Sequence, residues 1–268
     1  MLEPQWIDSH CHLDRIDTAS YPNGVPDIVA EAHKHQVKGM LTISVDLRDI
    51  EKLVAIAEAH PSVYLSVGVH PADPETCDES KSRLFSLAQH PKVVAIGETG
   101  LDYHHVTDGV AQAAERDRFV RHIETSLTTQ KPVVIHTREA AKDTLDILRA
   151  HQQGDLQGIF HCFTEDEATA RVALDLGFYI SFSGIVTFKN ATSLQEVARW
   201  CPWDRILVES DAPWLAPMPH RGKPNIPAWV PHTGAFVAQL KNVSPSEAAQ
   251  YTTENFFRLF PVCRVGMV

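Results

Sequence analysis

Short apolar, β-branched runs recur along the chain at fairly even intervals. They are WIDSHCH (6–12), GMLTISV (39–45), VYLSVGVH (63–70), VVAIGETG (93–100), KPVVIHT (131–137), GIFHCF (158–163), FYISFSG (178–184) and RILVESD (205–211). Most are continuously apolar rather than alternating, which predicts strands covered on both faces. Between them, apolar positions return at helical spacing, as in 25–37, 47–60, 111–130, 138–151 and 166–177. Gly154 and Gly177 read as helix stops, and Pro61, Pro91 and Pro202 follow helical stretches. Strand–helix alternation carried through eight strands predicts an α/β fold of the (β/α)8 TIM-barrel type. A doubly wound open sheet is the alternative, because closure does not show in a sequence. No GxGxxG or P-loop pattern supports a nucleotide-binding fold.

One irregular stretch stands out. APWLAPMPHRGKPNIPAWVPH (212–232) carries six prolines and directly follows the last predicted strand. A loop of that length is expected to be functional, here at the active site. Two helical segments, 233–243 and 244–260, come after it as extra C-terminal helices. No linker divides the chain, so 1–268 is expected to be one domain.

Composition narrows the class. The 268 residues are 44% hydrophobic and 22% charged, an ordinary globular balance. The net charge of −10 argues against a general basic surface for coating nucleic acid. It leaves room for a phosphate-handling site in which bound cations supply the positive charge. Five scattered cysteines, Cys11, Cys77, Cys162, Cys201 and Cys263, with no CxxC, fit a reducing compartment. The N-terminus lacks the pattern of a signal peptide, and no run is long and apolar enough to span a membrane. The cytoplasm is the expected location, and nothing calls for a protein partner beyond a monomer.

The chemistry lies in where the polar residues fall. The first run carries His10 and His12, which strand alternation places on one face together with Asp8. The third ends in His70, the fourth in Glu98 and Asp102, the fifth in His136, the sixth in His161, and the eighth in Glu209, Ser210 and Asp211. In a barrel, all these C-terminal ends meet at one mouth. Each residue alone has a structural explanation; buried charges at several strand ends together need a shared partner. Four imidazoles (His10, His12, His136, His161) and two carboxylates (Glu98, Asp211) exceed what one catalytic zinc uses. They suit two divalent ions bridged by Glu98, with His10, His12 and Asp211 on one and His136 and His161 on the other. Mixed nitrogen and oxygen donors suit Zn, Mn, Co or Fe, and the availability of Mg keeps it in the set.

These residues resemble a known family. DSHCHLD (8–14), VGVHP (67–71), GETGLDY (97–103), VIHTR (134–138), FHCF (160–163), ESDAPWL (209–215), PHRGKPN (219–225) and TTENFFRLF (252–260) are similar to the motifs of the TatD family of metal-dependent deoxyribonucleases. The resemblance runs from about residue 6 to residue 260. It implies a TIM-barrel metallohydrolase with two metal positions, the same six ligands, and His70 as a contact to substrate or its phosphate. Thr99 stands where the family often has an aliphatic residue, and Pro224 where it often has arginine. The second departure removes a positive charge from the loop.

The expected chemistry is cleavage of a DNA phosphodiester, single-stranded or at 3′ ends, by a hydroxide held between the ions. Asp211 would orient the nucleophile or take its proton, with Glu98 and His70 completing the catalytic set. His70, Arg138, His220, Arg221 and Lys223 are the candidates for holding substrate, and Trp214 for stacking on a base. Two rivals stay open at this point. One is a small-molecule metallohydrolase acting on an amide, lactone or phosphoester. The other is a non-catalytic protein that keeps the metal site as a scaffold.

Overall fold

Each of the eight predicted runs folds as a strand. The computed structural model describes residues 5–72, 79–152, 154 and 156–267, and Cys77 lies outside them. The strands are β1 (Trp6–Cys11), β2 (Val37–Thr42), β3 (Val63–Val67), β4 (Val93–Asp102), β5 (Val133–Arg138), β6 (Gly158–Phe160), β7 (Tyr179–Phe182) and β8 (Ile206–Val208). They pair in parallel in sequence order, with no reversal. That order excludes the doubly wound alternative, which needs a switch in strand order. The last strand returns to the first. Ser9 Oγ donates to the Val208 carbonyl at 3.0 Å, Asp211 N–H to the His10 carbonyl at 2.9 Å, and His12 N–H to the Ala212 carbonyl at 2.8 Å. The fold is a TIM-type barrel with extra C-terminal helices.

The helices are α1 (Val25–Lys34), α2 (Ile50–Ala59), α3 (Lys81–Ala88), α4 (Gly109–Thr129), α5 (Ala141–His151), α6 (Glu167–Asp175), α7 (Thr192–Trp200), α8 (Val230–Leu240) and α9 (Pro245–Leu259). Several of their starts are chemically marked. Asp108 accepts from Val110 N and Ala111 N, Asp166 from Thr169 N, and Ser244 forms a capping box with Glu247. Each then turns an apolar stripe inward, as α1 does with Ile28, Val29 and Ala32. Residues early in the strands (Ile7, Val94, Val134, Ile159, Leu207) cluster with Phe256 and Phe257 of α9 and with Phe260 just beyond it. The C-terminal segment therefore plugs the N-terminal end of the barrel.

At the other end most strands stop short of the apolar runs that predicted them, while β4 and β5 run on to Asp102 and Arg138. His70, His161 and Asp211 lie just past the ends of β3, β6 and β8. Cys162 and Asp211 have φ of 41° and 54°, a left-handed backbone that no strand continues through. The chain thus turns away from the sheet where the polar residues begin.

Candidate metal centre

Glu98 sits in the middle of β4 between two glycines, and the reason is steric. Gly97 and Gly100 have φ of 138° and 137°, and a Cβ at Gly100 would lie 1.9 Å from the His136 carbonyl oxygen. Only glycine lets β4 approach β5 this closely. The approach brings Glu98 beneath the imidazoles. Its Oε1 lies 2.7 Å from His161 Nε2, 3.1 Å from His136 Nδ1 and 3.4 Å from His70 Nε2. Its Oε2 lies 3.5 Å from His10 Nε2 and 3.9 Å from His12 Nε2. Asp211 Oδ1 is 3.4 Å from His12 Nε2 and 3.6 Å from His10 Nε2, while those two nitrogens are 3.1 Å apart. Three overlapping groups result: His10–His12–Asp211, His10–Glu98–His161 and His70–Glu98–His136. The six ligands expected from sequence are therefore brought together, and all but the half-buried His136 are buried.

The protons on these rings can be assigned from their far nitrogens. His12 Nδ1–H donates to the Ile43 carbonyl at 3.1 Å. His136 Nε2–H donates to Asp102 Oδ2 at 3.1 Å, and His161 Nδ1–H to Glu209 Oε1 at 3.4 Å. Each neutral ring then aims a lone pair at Glu98 or Asp211, themselves acceptors. Lone pairs converging at these distances are satisfied by a cation or a shared proton. The donor set thus fits divalent metal ions. His70 is turned the other way: its Nδ1 accepts from Ala72 N–H at 3.1 Å, so its Nε2 carries the proton.

Without an ion, the electrostatics favour the shared proton at His161 and a neutral ring at His70. Burial works against ionised Glu98, but His161, His70, His10 and His136 outweigh it and hold the carboxyl well below its usual range. Burial also disfavours the Asp211 carboxylate, yet His12 and His10 pull it down. Burial depresses the His161 imidazolium, but Glu98 and Glu209 overcome that and raise it well above the usual value. Burial pushes His70 down to about 3, so the ring stays neutral at ordinary pH.

A cavity of about 1180 Å³ opens above the cluster, lined by His12, Glu98, His136, His161 and Asp211, by His70, and by Arg15, Arg48, Arg138, Trp214 and Leu215. Arg138 reaches it as expected. Arg221 and Lys223 line a neighbouring cavity on the far side of Trp214 and Leu215. His220 lines neither: its ring stacks on Trp229 at 4.0 Å, and its Nε2 lies 3.2 Å from His232 Nε2. Asp8 stays out of the cluster. Its carboxyl accepts from Ser210 N and Ser210 Oγ at 2.9 and 2.6 Å, tying β1 to the end of β8, and burial pushes it up to about 8.

Sequence reading left several supporting residues without a role. Asp102 and Glu209 end apolar runs, but their job of fixing the His136 and His161 rings depends on which oxygen points where. Asp102 is itself held by His105, whose Nδ1–H donates to it at 2.8 Å. Arg118 and His122 of α4 support the segment bearing His70. Arg118 Nη1 donates to the His70 and Pro71 carbonyls at 3.2 Å, and His122 Nε2 accepts from Val69 N–H at 3.1 Å. No motif marks these two helix residues.

Comparison with known proteins places this geometry among relatives. Residues 7–261 match the family described as TatD related DNase. The uncharacterized metal-dependent hydrolase YcfH of Escherichia coli is 46% identical over 259 residues, covering 96% of each chain. The uncharacterized metal-dependent hydrolase TatD of Mycobacterium tuberculosis is 39% identical over 259 residues, covering 95% of this chain and 97% of its own. The crystal structure of YJJV, a TatD homolog from Escherichia coli, matches with a TM-score of 0.85 at 25% identity, over 96% of this chain and 98% of its own.

Proposed function

This chain belongs to the TatD related DNase family of metal-dependent hydrolases, and on that premise we propose that it hydrolyses DNA phosphodiesters with two divalent cations, Zn, Mn or Mg. One observation carries the reading. His12, His136 and His161 each spend one ring nitrogen on an internal acceptor and turn the other to Glu98 or Asp211, whereas His70 presents an N–H. That is the division expected between metal ligands and a substrate donor.

His10, His12 and Asp211 would hold one ion, His136 and His161 the other, and Glu98 both. When bound, the ions lower the pKa of water and offset charge on the phosphate oxygens. The protein's residues do the rest. His70 Nε2–H donates to a non-bridging phosphate oxygen. Asp211, facing the cavity, accepts the proton that the attacking water sheds. Arg138, which has no carboxylate partner among the described residues, supplies a fixed positive charge on the wall. Asp102 and Glu209 keep His136 and His161 in the tautomer that leaves a lone pair toward Glu98.

A second reading, a small phosphoester or lactone on the same ions, draws on the net charge of −10, which disfavours a polyanion. The test is turnover of 3′- and 5′-labelled oligonucleotides beside a panel of small esters and lactones, across divalent ions. Oligonucleotide cleavage abolished by EDTA is the expected result. Turnover indifferent to EDTA, or confined to the small esters, overturns the deoxyribonuclease reading.

A further inference from the structure

His220 and His232 form a histidine pair outside the cluster around Glu98. His220 sits in the proline-rich segment after β8, His232 in the first turn of α8, and their Nε2 atoms lie 3.2 Å apart. The ring planes meet at 65° with centroids 4.9 Å apart. Neither ring lines the cavity above Glu98 or the one walled by Arg221 and Lys223. Both are held in place. His220 stacks on Trp229 with centroids 4.0 Å apart and planes 9° apart. Its N–H donates to the Pro217 carbonyl at 2.7 Å, and its carbonyl accepts from Lys223 N–H at 3.1 Å. Buried Asn225 donates through Nδ2 to the Ser210 and Trp214 carbonyls, both at 2.7 Å, and through its backbone N–H to the Pro213 carbonyl at 2.8 Å. His232 rides on a helix that buries Val230, Thr233, Gly234 and Val237. A pair positioned in this way loses little freedom on taking up a ligand.

At this spacing the two nitrogens can share one proton and no more. Burial lowers the His220 imidazole, with His232 and Lys223 adding to it; burial lowers His232 too, with His35 adding to it. Both rings are therefore neutral at ordinary pH, the form that binds a metal. Metal–imidazole bonds of about 2.0–2.1 Å, at ligand angles of roughly 90–110°, set two such nitrogens about 2.9–3.4 Å apart. The observed spacing thus accepts a cation in place of the shared proton. Among the described residues no third histidine, cysteine or carboxylate comes within 4.8 Å of both nitrogens, which leaves the other positions to water. Two nitrogen donors without a carboxylate select metals late in the Irving–Williams order, Zn²⁺ or Cu²⁺, over Mg²⁺ and Mn²⁺.

We propose that His220 and His232 form a separate site for Zn²⁺ or Cu²⁺, a clip that fastens the proline-rich segment to α8. The same segment carries Trp214 and Leu215 on the wall of the cavity above Glu98. Zinc supply is thereby coupled to the order of that wall. The clip holds whichever substrate the barrel hydrolyses, and Mn²⁺, at the weak end of the order, leaves it empty.

The test is calorimetric titration of the chelator-stripped full chain with Zn²⁺, comparing wild type with His220→Gln/His232→Gln. Wild type binds one equivalent more than the variant, and that difference counts the clip whatever the cluster around Glu98 holds. Equal urea midpoints without metal show that the variant keeps its fold. The second readout is tryptic cleavage after exposed Arg221, which requires the segment to open. With free Zn²⁺ at ten times the Kd of the extra equivalent, the zinc-free rate divided by the zinc-loaded rate is about tenfold higher for wild type than for the variant. Equal zinc uptake by the two proteins overturns the site. A lost equivalent with equal protection overturns the clip.

Discussion

The two ends of the barrel are built from the same eight strands and have opposite chemistry. Early in the strands, Ile7, Val94, Val134, Ile159 and Leu207 cluster with the phenylalanines of the C-terminal segment. Beyond or near the strand ends, four imidazoles and two carboxylates crowd within 4.8 Å groupings. The first end stabilises by burying apolar area. The second opposes folding unless cations or protons join its lone pairs. Stability and chemistry are thus separated along one axis, as in other barrels of this type, and substitutions should sort accordingly.

The largest expected effect is at the chemical end. His10→Ala/His12→Ala removes two donors from one group and should lower DNA cleavage by well over the ~100-fold that losing a supporting residue costs. Residual metal-dependent activity near the wild-type level would remove these histidines from the site. At the packed end, Phe256→Ala should cost about 3–5 kcal/mol in urea denaturation while leaving metal affinity unchanged. A matching loss of metal affinity would show that the two ends are not independent.

Between them lie the supporting carboxylates. Asp102→Asn and Glu209→Gln should each weaken metal binding by about 10–100-fold, read by competition with a chromophoric chelator. No change would mean that the His136 and His161 rings are fixed by something else. The smallest effect concerns His122, buried against the segment that carries His70. Burial lowers its imidazole from 6.5 to about 4. Between those values the unfolded chain binds the proton and the folded protein does not, so stability falls as pH drops from 6.5 toward 4. His122→Gln should flatten that part of the pH–stability curve, and a curve with the wild-type slope would exonerate His122.

The same division explains what could be read in advance. The eight runs predicted the strands because burial on both faces forces continuous apolarity, and that pattern is local. Glu98, His136 and His161 were legible because a barrel sends all strand ends to one mouth. The strand limits were not: Cys162 and Asp211 adopt left-handed backbone that apolar runs do not announce. Helix α3 went unmarked because it has eight residues with only two buried. The separation of Arg221 and Lys223 from the metal-lined cavity depends on how Asn225 folds the proline-rich loop, which no spacing encodes. Arg118 and His122 act on backbone atoms of a distant segment and leave no trace in sequence pattern.

The central claim is that six side chains from five strands and their ends hold two ions around one shared carboxylate. Calorimetric titration of chelator-stripped protein with Mn²⁺ tests it most directly. The account predicts two equivalents bound per chain, falling to at most one in His136→Ala/His161→Ala. A wild-type stoichiometry of one or none, or a variant that still binds two, would contradict it.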